Sequence, residues 1–354
     1  MTSANDQSVA TALDVVALRP WLDAVVDGGV GSDLASRLIA GGRSNPTYEV
    51  SDSHRSWILR RPPHGLVLET AHDMGREYRV LTALADTAVP VPRVLGLCTA
   101  SDVIGAPFYV MDKLDGTTLR SQSDTDRLTV GQRGRLSDAM VDTMVALHEV
   151  DPESVGLGDW GRPVGYLDRQ LKRWRRQWDS SATRPLAEVE ELLRRLGSSL
   201  PASHLPGIVH GDFKVDNMMV DRIDPSRIIG VLDWEMSTLG DTLTDLGILC
   251  SFWDQEGELN NPITAGTTAL PGFASRQHVV EKYVVARDIE VSDIDWYMVF
   301  ADFKVAVILE GIHARHVQGN TVGEGFEGIG LMVEPLLHRA LQIASASTVP
   351  GLKG

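Results

Sequence analysis

Ile208-Val209-His210-Gly211-Asp212-Phe213-Lys214-Val215-Asp216-Asn217 is the stretch on which the reading of this chain turns. It has the form H-G-D-x-x-x-x-N, with a carboxylate at Asp212 and an amide at Asn217. Transfer of a phosphoryl group to a hydroxyl needs a carboxylate that orients the hydroxyl and accepts its proton. It also needs an oxygen ligand for a divalent cation nearby, but not on the same atom. Asp212 and Asn217, on one loop, supply these two groups. The next residues supply a third. Met218-Met219-Val220 reads as a short apolar strand, Asp224-Pro225 as a turn, and Arg227 to Leu232 as a second strand, with Asp233 directly after it. In a hairpin centred near Pro225, Asn217 faces Asp233. Facing residues in an antiparallel ladder have Cα atoms about 4.5–5.5 Å apart. An amide oxygen and a carboxylate at that spacing can share one Mg²⁺, an ion that takes a few protein oxygens and completes its shell with phosphate and water.

Upstream of this stretch the order of elements is that of a small mixed domain. Residues 10–40 read as helical, with Pro20, at the first turn, starting a segment that carries Trp21, Leu22, Val25 and Val26. Gly41-Gly42-Arg43-Ser44-Asn45-Pro46 is a dense turn signal. Thr47–Ser51 and Ser56–Arg61 read as strands joined by the polar loop Asp52-Ser53-His54-Arg55. Residues 70–86 have helical spacing, with Met74, Tyr78, Leu81 and Leu84 on one face. Arg93–Thr99 and Phe108–Lys113 read as two more strands, and Asp115-Gly116 breaks the chain. Beyond that point the pattern is helical over 132–149, 164–178, 185–197, 274–287 and 294–317. The expected organisation is an N-terminal lobe over residues 1–111, a connector over 112–116, and a larger, mostly helical lobe over 117–354. The length of 354 residues also favours two bodies over one core.

Composition narrows the partners. A formal net charge of −15 repels nucleic acid and anionic lipid, so neither is expected as a partner, and it is compatible with a cationic small molecule. The two cysteines, Cys98 and Cys250, lie among apolar neighbours without metal-ligand spacing and read as reduced core thiols. No basic start followed by an apolar run opens the chain, and no 18-residue apolar stretch occurs in it. The expected compartment is the cytoplasm, with no membrane involvement. Oligomeric state is not legible. Arg169, Lys172, Arg173, Arg175 and Arg176 form a basic run on one helix, read as a solvated face or as a site for an anionic substrate. His313, Arg315 and His316, near the end of a long helix, are candidates for the substrate side.

Taken together, several stretches resemble the aminoglycoside phosphotransferase and choline kinase branch of the kinase-like superfamily. Within it the chain looks most like the phosphotransferase domains of bacteria and of the acyl-CoA dehydrogenase family members ten and eleven. The resemblance is carried by Gly42-x-Ser44-Asn45-Pro46-Thr47, by Leu59-Arg60-Arg61-Pro62-Pro63 and by Arg76-Glu77-Tyr78. The more specific pieces are His210 to Asn217 and Leu232-Asp233-Trp234-Glu235-x-Ser237-Thr238-Leu239-Gly240-Asp241, with Asp245-Leu246. It spans about residues 35 to 320. It implies an α+β, bilobal protein-kinase-like fold, with an antiparallel sheet and one main helix in the small lobe. It implies an ATP- and Mg²⁺-dependent phosphotransferase with an alcohol acceptor, in which Asp212 is the base and Asn217 and Asp233 bind the metal. Lys214 would stabilise the transferred phosphate, His210 would hold the loop, and Asp245 would brace it from a helix start. Gly42, Ser44 and Asn45 would cover the nucleotide phosphates. Where related enzymes use a lysine to grip phosphate, this strand offers arginine. Alternation puts Ile58 and Arg60 on one face, so Arg60, paired with Glu77, is the expected equivalent, with Arg61 the other candidate. Backbone groups of Asp112 and Leu114 would hold the adenine, and Val50, Ile58 and Leu232 would enclose it.

Four readings compete. An active small-molecule kinase needs Asp212, Asn217 and Asp233, and all three are present. A catalytically weak or inactive nucleotide-binding regulatory module would be expected to have lost one of them. A protein kinase is disfavoured because Asp233-Trp234-Glu235 stands where D-F-G would, and no A-P-E element follows. A metal hydrolase would want further histidines at ligand spacing around His210. The acceptor is left open among an aminoglycoside-like sugar, an amino alcohol and a hydroxyacyl compound.

Overall fold

The structure is a computed structural model. It describes residues 13–39, 45–63, 73–202, 205–258, 261, 263–264, 266–319 and 326–354. The chain divides into two compact units, one of Met1–Asp115 with Gly230–Glu235 and one of Gly116–Ile229 with Met236–Gly354.

The first unit is built on a five-stranded sheet, β1 (Ala35–Leu38), β2 (Thr47–Ser51), β3 (Ser56–Arg60), β4 (Val94–Cys98) and β5 (Phe108–Asp112). Its order is β1-β2-β3-β5-β4, antiparallel throughout. The registers Tyr48↔Leu59 and Val50↔Trp57 put four apolar side chains on one face. Together with Phe108 and Val110 they pack into one core with Leu18 and Leu22 of helix α1 (Val15–Val25). Leu18 and Leu22 have no exposed surface, so truncating either to alanine should cost about 2–5 kcal/mol. Arg60 and Tyr109, paired across β3 and β5, take the other face by alternation. Helix α2 (Met74–Leu84) turns Met74, Glu77, Val80, Leu81 and Leu84 inward. Asp73 caps it, its carboxylate accepting from the N–H groups of Gly75 and Arg76.

Two expectations fail here. The helix expected over 10–40 is only α1 among the described residues, with residues 10–12 and 40 outside the described part. The chain reaches positive φ at Gly28 and Gly29, and residues 35–38 form strand β1 instead. Pro20 does not open the helix. Asp14 does, accepting from the N–H groups of Val16 and Ala17, and Pro20 lies inside. An aspartate cap satisfies orphan amide groups that proline cannot.

The second unit is mostly helical. Its main helices are α4 (Val130–His148), α5 (Tyr166–Ser181), α6 (Ala187–Ser198), α7 (Leu243–Ser251), α8 (Arg276–Arg287), α9 (Ile294–Val317) and α10 (Val333–Ala346), with the short α3 (Gln122–Thr125) before them. α9 is buried on nearly every side from Trp296 to Leu309, as a central helix must be. β7 (Pro206–Val209) pairs antiparallel with β10 (Thr238–Asp241). β6 (Gly116–Thr118), β8 (Met218–Asp221) and β9 (Ile228–Val231) make a second small sheet in the order β6-β8-β9. In the hairpin after β8 the Asp221 N–H donates to the Arg227 carbonyl at 2.9 Å, which centres the turn on Asp224. Among the described residues no helix is long and apolar enough to cross a membrane.

Candidate active site

The loop from His210 to Asn217 leaves the end of β7, tightens into a 3₁₀ turn over Val215–Asn217, and enters β8. Its entry is pinned through the backbone. Asp245, three residues into α7 and fully buried, accepts from His210 N–H at 2.6 Å on Oδ2 and from Gly211 N–H at 2.8 Å on Oδ1. Burial works against that carboxylate's charge, yet its pKa lies below the ordinary aspartate value, because His148, His210 and the Gly211 N–H all favour the ionised form. Gly211 sits at φ +85°, and a Cβ there would come 2.7 Å from the Met236 carbonyl oxygen, so a side chain is excluded twice over. His210 is fully buried. Its Nδ1 accepts from Asp212 N–H at 3.2 Å, and its ring meets Phe213 edge-on. The bracing expected of Asp245 and the holding role expected of His210 are therefore both present in the structure.

The carboxylate of Asp212 is aimed by two side chains from its own loop. Asn217 Nδ2 donates to Asp212 Oδ2 at 2.9 Å and to the Asp212 carbonyl at 2.8 Å. Lys214 Nζ lies 3.0 Å from the same Oδ2, 3.7 Å from Asp216 Oδ2 and 5.0 Å from the centre of the Phe252 ring. With both protons of the Asn217 amide engaged, its carbonyl oxygen is the atom left to face a cation. That is the hard oxygen donor Mg²⁺ prefers.

In the first unit, Arg60 and Glu77 form a buried ion pair, and Arg60 Nη2 lies 3.4 Å from Asp233 Oδ1. The guanidinium is held firmly charged: burial opposes this, and Glu77, Tyr109, Asp233 and Glu235 outweigh it. Arg60 Nε is buried without a hydrogen-bond partner. Arg61 turns elsewhere, donating to the Ile104 carbonyl at 3.0 Å, so of the two arginines it is Arg60 that meets Glu77. Asn45 Nδ2 reaches Glu235 Oε2 at 3.3 Å. Asp233 stands at φ +66°, a left-handed conformation that few residues other than glycine adopt and that aspartate tolerates. Asp112 ends β5, and its N–H donates to the Arg93 carbonyl at 2.9 Å. Leu114 follows in the connector and is half-buried. Val50 is part of the core beneath α1, on the face opposite Ile58 and Arg60 by alternation, which removes it from the set expected to enclose adenine. Gly42 and Ser44 lie outside the described residues.

Two residues that the sequence did not single out matter here. His148, at the end of α4, offers Nε2 to Asp245 at 3.3 Å while its Nδ1 meets Tyr283 Oη at 2.8 Å. Lys304, in α9, donates to the Gly211 carbonyl at 2.5 Å. The signal for Lys304 was a lone cation in the otherwise apolar run Phe303-Lys304-Val305-Ala306-Val307. The basic run of α5 is largely a solvated face: Lys172 pairs with Asp168, and Arg175 with Asp179 and Glu190.

Residues 36–277 match the phosphotransferase enzyme family. The chain belongs to that family. Among curated proteins, this phosphotransferase-family chain is 33% identical to acyl-CoA dehydrogenase family member 11 of Gallus gallus over 88% of its own length and 40% of the relative's. It is 32% identical to family member 10 of Mus musculus, over 86% of this chain and 28% of that one. The chain thus spans less than half the length of these curated relatives. Among solved structures, a candidate aminoglycoside phosphotransferase from Ralstonia eutropha is 32% identical, with a TM-score of 0.81 over 95% of this chain and 99% of the other. An aminoglycoside phosphotransferase APH(4)-Ia variant, solved with ADP and hygromycin B, shares the fold at 16% identity, with a TM-score of 0.60 over 94% and 100%. The fold of the family, α+β and kinase-like, is the fold of this chain.

Proposed function

We propose that this chain is an ATP-dependent small-molecule kinase that moves the γ-phosphate of ATP to a hydroxyl of its acceptor, with Asp212 as the base. The observation that carries the reading is the state of that carboxylate. Oδ2 holds both the Asn217 amide and the Lys214 ammonium, so Oδ1 is the oxygen that would take the hydroxyl proton. As the O–H proton passes to Asp212, the hydroxyl oxygen bonds to the γ-phosphorus and the bond from that phosphorus to the β,γ-bridging oxygen of ATP breaks. Lys214 would then stand beside the transferred group and balance its charge. On the nucleotide side, Arg60, held by Glu77, would supply the guanidinium that grips phosphate oxygens. The adenine contact at Asp112 would use its carbonyl, since its N–H is engaged with Arg93. Leu114 would supply the second backbone group, and Gly42, Ser44 and Asn45 the cover over the phosphates. Asn217 and Asp233 each carry a side-chain oxygen of the kind Mg²⁺ prefers and would hold it; when bound, the ion would neutralise phosphate charge.

The acceptor class is the open part of the proposal. Aminoglycosides, amino alcohols and hydroxyacyl-CoA esters belong side by side in one screen coupled to ADP release. The expected result is turnover with one class, abolished in Asp212→Ala, with binding of ATP·Mg²⁺ retained within a few-fold. Full turnover by Asp212→Ala would remove Asp212 as base. Nucleotide binding without turnover on any acceptor would favour the regulatory-module reading instead.

A further inference from the structure

The peptide group that joins Gly211 to Asp212 is gripped at both of its ends. Its N–H, on Asp212, donates to His210 Nδ1 at 3.2 Å. Its carbonyl oxygen, on Gly211, accepts from Lys304 Nζ at 2.5 Å. The two preceding N–H groups, of His210 and Gly211, both go to Asp245. Three successive amide N–H groups and one carbonyl are therefore fixed just ahead of the Asp212 side chain. Of these anchors, the Lys304 contact is the only one made by a cation, and it comes from a helix 93 residues further along the chain.

The surroundings of Lys304 fit a purpose-built anchor rather than a stray charge. The residue is 8% exposed, on a helix whose neighbouring positions Phe303, Val305, Ala306 and Val307 are buried. A buried ammonium is costly unless it has a defined partner, so helices seldom carry one in an apolar stretch. Here Nζ lies 5.8 Å from the centre of the Trp174 ring of α5, beside the face that attracts cations. The charged groups around it are Asp212 and Lys214 from the loop, Asp245 from α7, and Arg173 from α5. Burial lowers its pKa to about 8, and the two carboxylates limit the fall. The loop residue it holds is one that must be glycine, at φ +85° and pressed against the Met236 carbonyl. Glycine leaves the backbone at this position freer to rotate than other residues do, and the Lys304 contact restrains the carbonyl end of the peptide, which His210 and Asp245 do not touch.

The geometry points to Lys304 as a positioning residue of this active site, which fixes the Gly211–Asp212 peptide plane and through it the aim of the Asp212 carboxylate. The claim rests on the kinase reading for its catalytic consequence, while the clamp itself can be measured without turnover. A misaimed general base loses rate rather than nucleotide affinity, because the γ-phosphate is held by other groups.

The test compares the full chain with Lys304→Met, which keeps length without a donor, and Lys304→Arg, which restores a charged donor. Hydrogen exchange read by mass spectrometry on peptides covering 207–219 reports the clamp directly. In Lys304→Met, exchange across 210–214 is expected to accelerate ten-fold or more, while peptides of α7 and α9 keep their protection and Lys304→Arg returns the loop to within three-fold of the native rate. With an accepted hydroxyl substrate, kcat should fall ten- to a hundred-fold in Lys304→Met with the KM for ATP within two-fold, and recover in Lys304→Arg. Loop exchange within two-fold of native in Lys304→Met overturns the proposal, as does a loss confined to KM. Should Lys304→Met unfold the unit, Lys304→Leu, another apolar residue without a donor, decides by the same readout: an accelerated loop in a folded unit supports the clamp, and a loop within two-fold of native refutes it. A native chain inactive on every acceptor would end the kinase reading, and loop exchange alone would then decide whether Lys304 is the clamp.

Discussion

Asp245→Asn is the substitution whose consequences the structure fixes most closely. The native carboxylate takes His210 N–H at 2.6 Å and His148 Nε2 at 3.3 Å on Oδ2, and Gly211 N–H at 2.8 Å on Oδ1. An asparagine amide has one oxygen and one NH₂. Placed with its oxygen toward His210 and His148, it sets an NH₂ against the Gly211 N–H, two donors facing each other in a site with no exposed surface. Turned the other way, it leaves two donors without an acceptor instead of one, so the first orientation is the one expected. A hydrogen bond to a charged group contributes about 1.5–3 kcal/mol and a neutral one about 0.5–1.5, so one bond is lost and two are weakened. Removing the cost of burying a carboxylate offsets part of this. The expected net loss is about 2–4 kcal/mol, which for a unit of this size lowers the melting temperature by roughly 5–15 °C. Differential scanning calorimetry measures the shift, and hydrogen exchange at His210 and Gly211 localises it. A variant that melts within 2 °C of the native chain, with both amides still protected, would refute the account of Asp245 as the anchor of the loop.

Two further outcomes follow from buried charges elsewhere. Arg60→Met leaves Glu77, 2% exposed, without its cation and should cost about 3–5 kcal/mol; adding Glu77→Gln should recover more than half, and strictly additive losses in chemical denaturation would show that the pair is not coupled. Burial holds the His148 imidazole below its ordinary pKa of 6.5, against the opposing pull of Asp245. The folded state therefore favours the neutral ring. Its contribution to stability is complete above pH 6.5 and is lost as the pH falls from there toward the depressed folded value, because the unfolded chain takes up the proton first. The melting temperature should thus fall between pH 7 and pH 5, and less steeply in His148→Gln; equal slopes would remove His148 as the source.

The local parts of this protein were legible because they depend on near neighbours in the chain. Strands β2, β3, β5 and β8 lie where alternation and turn residues place them, and α9 covers Ile294–Val317 as its apolar run predicts. The spacing of Asp212, Lys214 and Asn217 was enough to foresee one loop, and the structure joins all three through Asp212 Oδ2. Arg60 and Glu77 were paired by strand alternation and family resemblance, and they meet. What failed locally was the extent of the first helix: the apolar pattern continued past Val25, and only Gly28 and Gly29 turn the backbone out of it.

What only the tertiary structure decided is how that loop is held. Asp212 stands on a segment whose backbone is fixed by Asp245 from α7 and Lys304 from α9, with His148 of α4 and Tyr283 of α8 behind Asp245. None of these pairings has a period or a spacing, because each joins residues from helices distant in sequence that share only a buried polar group needing a partner. The same holds for residues 230–235, which belong to the first unit although the chain on both sides of them belongs to the second. The motif pointed to the proposed chemistry because its candidate residues lie on one loop of eight residues. The support of that loop is a property of packing, and packing is not written in any one stretch of the chain.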